Sequence, residues 1–394
     1  MIRYFTAGES HGPEITGIIE GIPAGLPLKE DEIAVHLARR QKGYGRGGRM
    51  AFEKDWAEIT SGVRFGKTMG SPIAMRMPNR AYLKDDSNWP RVMSKDKDGS
   101  GVEPITLSRP GHADLVGVQK YRFNDIRPVI ERSSARETAM RVACCSIARI
   151  FLKQFGIEIG GHVIQLGSVG LKGWSHVREL ADPFLDNGAE EIYKKADESE
   201  VRCLDADMSE QMREEIKKKR KDGSSLGGIY EIVITGVPPG LGSYVHWDRK
   251  IDGQLAQAIV STQAMKGVEI GLGFEAGHRP GHEVHDEIAY EADRFYRKTN
   301  RLGGIEGGTT NGMPIILRGV MKPIPTMIKP LKTVDFKTKE EKDTRYERSD
   351  VCALPRAVVV AESVIAPVIA NAFLEKFGGD SMEEISERYP LKDA

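Results

Sequence analysis

The chain has 394 residues, no formal net charge and 40% hydrophobic residues. That length suits one large domain or two and leaves ample material for a core, while a neutral field gives no general attraction for nucleic acid or an anionic membrane. The 43 glycines have no period, which excludes a collagen-like or low-complexity chain and predicts many tight turns.

Cys144, Cys145, Cys203 and Cys352 lack zinc-site spacing and read as reduced thiols, two of them small core residues on a helix. The first residues lack the regions of a signal peptide. The most apolar run, 357–373, is short and is interrupted by Glu362, Pro367 and Asn371, so no membrane span is expected. These features predict a soluble, cytoplasmic protein.

In chain order, residues 2–6 and 14–20 read as strands around the turn-forming Gly8-Glu9-Ser10-His11-Gly12. Residues 31–41 form a helix that runs into a glycine-rich loop carrying Lys42, Arg46 and Arg49. The loop matches G-x-G-x-x-G from Gly43 to Gly48 but follows a helix, so it is not a dinucleotide unit. Segments 56–63 and 71–77 are strand-like, and 94–103 is a charged surface loop.

Residues 109–138 hold Arg109, Arg122, Arg127, Arg132 and Arg136, with His112 beside a glycine. Two like charges about 4 Å apart repel by roughly 4 kcal/mol at an effective dielectric of 20. Converging arginines therefore need an anion or carboxylates between them. Ser134 and Glu137 have capping-box spacing, and Met140, Ala143, Ile147, Phe151 and Phe155 continue a helix to Gly156. That arrangement sets Arg132, Ser133, Ser134 and Arg136 at or just before a helix N-terminus, which favours anions.

Residues 157–169 read as one strand with a structural His162, and the charged 180–221 region contains a helix over 209–221. A strand at 229–237 precedes a helix at 252–265 stopped by Gly267, then a strand at 268–274. His278, His282 and His285 lie among glycines and a proline, a poor metal pattern, and no metal site is expected. Paired glycines in 300–312 suit a backbone pressed against a flat ligand or another chain. A strand at 314–320 is followed by the rigid Lys322-Pro323-Ile324-Pro325-Thr326, and a last long helix spans 356–377, with Gly378 as its stop. Asp350 precedes that helix as a cap or a partner for Arg345 or Arg348.

Seven of these stretches, in order, resemble the chorismate synthase family over almost the whole chain: Gly8–Gly12, the 40–50 loop, Arg109-Pro-Gly-His112-Ala-Asp114, Arg132-Ser-Ser-Ala-Arg136-Glu-Thr138, 300–312, Lys322–Thr326 and Arg348-Ser-Asp350. The resemblance implies one α+β domain over 1–394, a β-α-β sandwich with antiparallel sheets flanking a central layer of helices, assembled as a homotetramer. It also implies the 1,4-elimination of phosphate from 5-enolpyruvylshikimate 3-phosphate to give chorismate, the last common step of the shikimate pathway. That reaction needs reduced FMN without net redox change. NADPH enters only as an external reductant, with a separate flavin reductase as partner.

By the same resemblance His11, His112 and Asp350 are catalytic. Ser10, Arg40, Arg46, Arg49, Arg109, Ser134, Arg136 and Arg348 bind substrate. FMN contacts fall on Arg132, Ser133, Ser134, Gln263, Ala264, Gly307, Lys322, Pro323, Ile324, Pro325, Thr326 and Arg348. Arg40 and Arg46 are the positions linked to NADP. Two residues depart from the family pattern, Gly48 where a second basic residue is common and Arg356 where small residues are commoner; neither is expected to touch the histidines or Asp350. The helices at 134–155 and 252–265, each followed by a strand, suggest a pseudo-repeat. Two rival readings are a flavoprotein oxidoreductase that consumes NADPH and an RNA-binding protein that uses the Arg-Gly loop.

Overall fold

The computed structural model describes residues 1–45, 54–84, 86–344 and 350–392. Strands β1 (Arg3–Ala7), β2 (Glu14–Glu20), β3 (Glu58–Ile59) and β4 (Ile73–Pro78) form an antiparallel sheet in the order β1-β2-β4-β3. The register sets Phe5 opposite Ile18 and Ile18 opposite Ala74 on the outer face. The alternate residues Ile15, Ile19, Ile73, Met75 and Met77 point into the core, as the period-2 pattern requires. Only Glu58–Ile59 of the strand expected at 56–63 pairs with this sheet; Val63–Arg64 turns back on Lys67–Thr68 as a separate hairpin.

The second antiparallel sheet combines β5 (Glu158–Leu166), β6 (Val169–Gly170), β7 (Gly228–Thr235), β8 (Met265–Ile270) and β9 (Ile315–Met321) in the order β8-β9-β7-β5-β6. The single strand expected at 157–169 is thus two, because Gly167 takes φ 58° and reverses the chain. The helix expected at 252–265 is α8, Ile251–Val260; Gly267 does not stop it but lies inside β8, beside an irregularity in the pairing with β9. α8 is counted after α1 (Glu30–Gln41), α2 (Asp114–Tyr121), α3 (Arg127–Ser133), α4 (Glu137–Gln154), α5 (Gly173–Ala181), α6 (Ala189–Ala196) and α7 (Ala206–Lys221).

Helix α4 is the centre of the core. Fifteen of its eighteen residues are buried, as befits a helix that meets neighbours on all sides. It packs on β1 and β2, on the start of the second sheet at β5, and on α1 and the two C-terminal helices. Gly17 allows this approach, since a Cβ there would lie 2.6 Å from Met140 and 2.7 Å from Cys144. The adjacent Gly160 and Gly161 of β5 serve the two faces of the second sheet. A Cβ on Gly160 would strike the Ala189 carbonyl at the start of α6, and one on Gly161 would lie 2.8 Å from Val358.

The C-terminal helix expected at 356–377 is two, α9 (Leu354–Val364) and α10 (Ala366–Phe377), stopped by Gly378 at φ 69°. The break falls at Ile365, just before Pro367, which lacks an N–H. The stretch 354–377 is the only one among the described residues long and apolar enough to cross a membrane, and 83% of its apolar 18-residue window is buried against the rest of the fold. One hydrophobic cluster runs from Ile2 to Ile385 and draws on both sheets.

Charge is buried with this core. Glu362 of α9 is fully buried and accepts from Arg39 of α1 at 3.0 Å and Arg149 of α4 at 2.8 Å. Arg39 also reaches Asp197 at 2.6 Å, which Arg202 contacts at 2.7 Å. Burial alone would raise the Glu362 pKa; the charges of Arg39 and then Arg149 reverse that and hold it below the ordinary carboxylate value. Removing one member leaves the others buried and uncompensated. Glu362→Ala is therefore expected to cost about 3–5 kcal/mol, seen as a lower urea midpoint with unchanged slope; a loss below about 1 kcal/mol would show that the guanidiniums find other partners.

His162 is structural, as its strand position suggested. It is buried with Nε2 3.2 Å from Glu231, whose carboxylate also pairs with Arg178 and with Arg318 at 3.1 Å. Burial, then the charges of Arg178 and Arg318, push its pKa down to about 3. The unfolded chain takes this proton below about pH 6.5 and the folded chain refuses it, so stability falls as pH drops through that window, by roughly 1.4 kcal/mol per pH unit for each proton. His162→Gln should reduce the slope of urea-derived stability against pH between 6.5 and 4.5 by about one proton; an unchanged slope would mean that His162 takes a proton in the folded state.

Candidate active site

Three groups of side chains meet at the edge of the first sheet. The first surrounds the turn after β1. Asn79 donates to the carbonyls of Glu9 at 3.0 Å and Gly12 at 2.8 Å, and its Oδ1 accepts from Arg136 Nε at 3.0 Å. Arg136 also pairs with the buried Asp55, whose other oxygen lies 3.3 Å from Arg40. Arg40 donates further to Thr138 Oγ1 at 2.9 Å and the Ala135 carbonyl at 2.9 Å. One carboxylate thus serves two arginines, and the cluster gathers guanidinium donors of the kind that bind an anion. Ser134 donates to Ser10 at 3.1 Å. His11 Nδ1 lies 2.8 Å from Glu131, and the imidazole stacks on Trp89 at 3.8 Å.

The capping box expected of Ser134 and Glu137 does not form. Ser134 is the extended residue that follows α3, and α4 begins only at Glu137. Ser134 Oγ instead accepts from the Arg136 N–H at 3.3 Å. Glu137 turns away to a second group, accepting from Thr6 at 2.7 Å and Gln263 at 3.0 Å and pairing with Arg141. Arg132 belongs to the last turn of α3, not to a helix N-terminus, and donates to the Thr6 carbonyl at 2.7 Å and Gly8 carbonyl at 3.3 Å. Beside them, Ala264 adopts the left-handed conformation at φ 68°, and its carbonyl accepts from the Lys322 N–H at 3.0 Å.

Lys322 leads to the third group. Its ammonium donates to the Gly111 carbonyl, and Thr326 Oγ1 lies 3.2 Å from His112 Nε2. Gly111 is required here, with φ 77° and room for a Cβ only 3.2 Å from Pro325. Arg109 is held by the fully buried Asp114 through Nε at 2.8 Å and Nη2 at 3.0 Å. Burial, then Arg109, push the His112 pKa down to about 4, with Asp114 opposing and Lys322 adding to the fall. The His112 ring is therefore neutral at pH 7. Gln263 Oε1 and His112 Nδ1 are buried without a partner among the described residues.

Asp350 pairs with Arg356, which corrects the expectation that Arg356 would not touch it. The helix that starts at Leu354 turns Arg356 back toward the preceding loop. That loop lies near the others: Val351 accepts from Leu226 N–H at 2.8 Å, and the neighbouring Ser225 donates to the Ile324 carbonyl. Gly307 forms with Gly308 the turn of a short hairpin, both at positive φ; among the described residues a Cβ on it would meet only Tyr244, at 3.8 Å. Arg46, Arg49 and Arg348, expected at the site, and Arg345, named as a partner for Asp350, lie outside the described residues. Glu131, Asp55, Asn79 and Trp89 were missed. Asp114 stood inside a quoted motif and Glu131 just before one, but nothing in their spacing named their partners.

The family model for chorismate synthase matches residues 2–374. A chorismate synthase of Salinibacter ruber is 56% identical over 98% of this chain and 97% of its own length. That of Syntrophotalea carbinolica is 54% identical over 98% and 96%. A crystal structure of a chorismate synthase superposes with a TM-score of 0.78 at 43% identity, covering 98% of this chain and 96% of the other. With the motifs, the two antiparallel sheets and matches along nearly the full length in agreement, this chain belongs to the chorismate synthase family.

Proposed function

We propose that the chain catalyses the 1,4-elimination of phosphate from 5-enolpyruvylshikimate 3-phosphate, giving chorismate, as a lyase of aromatic amino-acid biosynthesis. The observation that carries this reading is the Arg40–Asp55–Arg136 cluster beside Ser10, Ser134 and His11. It offers two guanidiniums, two hydroxyls and an imidazole to a substrate that bears one phosphate and two carboxylates. Arg109 adds a further cation, and Arg46, Arg49 and Arg348 extend the set by resemblance. His11 donates its proton to the leaving phosphate, and Asp350 is the protein's carboxylate for the proton lost from C6.

The residues present fit a bound FMN. Gln263 Oε1 and His112 Nδ1 are buried polar atoms without partners among the described residues, and Lys322 is a cation suited to the cofactor's phosphate. Arg132, Ser133, Ser134, Gln263, Ala264, Gly307, Lys322–Thr326 and Arg348 would hold it. When bound in its reduced form, the cofactor supplies transient electron density without net oxidation. His112, neutral and held at Nε2 by Thr326, would polarise the bound cofactor. Asp350 is oriented by Arg356.

The same reading gives one domain, a sandwich in which α1, α4, α9 and α10 lie between the two sheets, a homotetramer, and a cytoplasmic location. The reduced flavin comes from an external reductase. Arg40 and Arg46 are the positions for any NADPH contact. The second reading, an oxidoreductase that consumes NADPH, makes the opposite prediction about flavin.

Under anaerobic conditions, with chemically reduced FMN and 5-enolpyruvylshikimate 3-phosphate, many chorismates and phosphates per flavin should form while the flavin spectrum stays reduced. Product matched one-for-one by flavin oxidation would establish the oxidoreductase instead. His112→Ala and Asp350→Asn should each lower turnover by on the order of 100-fold or more, with FMN still bound by fluorescence titration. Wild-type rates in either variant would remove that residue from the chemistry.

A further inference from the structure

We infer that Glu131 is a positioning residue for His11, fixing which ring nitrogen carries the transferable proton. The inference rests on the reading of His11 as proton donor. Glu131 is buried on α3 and holds the turn after β1 at three points. Its backbone carbonyl accepts from the Ser10 N–H at 3.2 Å. Its Oε2 accepts from the His11 N–H at 2.6 Å, and its Oε1 lies 2.8 Å from His11 Nδ1. Trp89 covers the ring face at 3.8 Å, with 21° between the planes.

Together these contacts remove the rotational freedom of the imidazole. The ring cannot flip without exchanging a charge-assisted hydrogen bond for a carbon edge against a buried carboxylate. A carboxylate only accepts, so Nδ1 must carry a proton. Nε2, on the opposite edge, is therefore the nitrogen that gains and loses the second proton. In the step assigned to His11, the doubly protonated ring gives its Nε2 proton to the departing phosphate oxygen as the C3–O bond breaks. The ring is left neutral with Nδ1–H still on Glu131, and a proton from solvent restores Nε2–H. Glu131 keeps its charge throughout, as the buried carboxylate of a catalytic triad does.

The test compares Glu131→Gln, Glu131→Asp and His11→Asn, each assayed with reduced FMN under anaerobic conditions. In parallel, ¹⁵N spectra of the FMN-loaded protein report the tautomer, with the His11 signals identified by their loss in His11→Asn. Glu131→Gln should lower kcat on the order of 10- to 100-fold, with KM for 5-enolpyruvylshikimate 3-phosphate within about threefold, because Ser10, Arg40 and Arg136 keep their partners. The His11 Nδ1 signal should lose its protonated-nitrogen character. Glu131→Asp keeps the charge and should recover part of both. An unchanged His11 signal, or a KM that rises in step with the loss of kcat, would overturn the inference. If Glu131→Gln fails to fold, Glu131→Asp decides alone, since wild-type kcat with an altered tautomer would equally exclude it. Wild-type turnover in His11→Asn would instead sink the proton-donor reading, and the ¹⁵N signal would still judge the Glu131 contact.

Discussion

Arginines in this fold are held in pairs around single buried carboxylates. Glu362 sits between Arg39 and Arg149, Asp55 between Arg40 and Arg136, and Glu231 between Arg178 and Arg318. Each carboxylate lowers the repulsion between two guanidiniums without cancelling it. In the core the surplus is absorbed by neighbours: Asp197 takes a second contact from Arg39, and Asp182 one from Arg178. At the Asp55 pair the two guanidiniums stand beside Ser10 and Ser134, in the cluster on which the proposed recognition of substrate rests. The same electrostatic device thus recurs in the core and at the candidate site.

Arg39 and Arg40 join these roles, as consecutive residues in the last turn of α1. Successive helical residues point about 100° apart, so Arg39 enters the ion-pair network between α1, α4 and α9, while Arg40 faces the site. The core anchors the helix end through Glu362 and Asp197, and that anchoring fixes where Arg40 can reach. Helix α4 works in the same way. Its interior residues fill the core, while its first turn supplies Glu137 to Thr6 and Gln263 and Thr138 to Arg40.

Elements with strong local patterns were legible in the sequence. The strands around 2–6 and 14–20, the core helix after residue 136 and the strands near 229–237 and 314–320 all lie close to where periodicity put them. The errors came where tertiary contacts override local signals. Ser134 has the residue type and spacing of a helix cap, yet its hydroxyl goes to Ser10, and Glu137 goes to Thr6. Gly267 looks like a helix stop but belongs to a strand that can accommodate it at an irregular pairing with β9. The C-terminal helix reads as one apolar run because Pro367 interrupts hydrogen bonding without altering the pattern of buried residues.

The site shows the same division between residue type and partner. Family motifs named His11, Ser10 and Arg136, but could not name Asp55, Asn79 or Glu131, which hold them. A buried carboxylate acquires meaning only when the chain brings it to its partner, and Glu131 reaches His11 across 120 residues while Asp55 reaches Arg136 across 81. The surroundings then divide two histidines of like sequence context. Both follow a glycine or precede one in a turn, yet His112 is buried beside Arg109 and Lys322 and is held neutral, whereas His11 rests against an anion. A neutral imidazole can polarise a neighbour through a hydrogen bond, while one backed by a carboxylate is suited to handing over a proton. The charges the fold sets beside each ring are what distinguish the two.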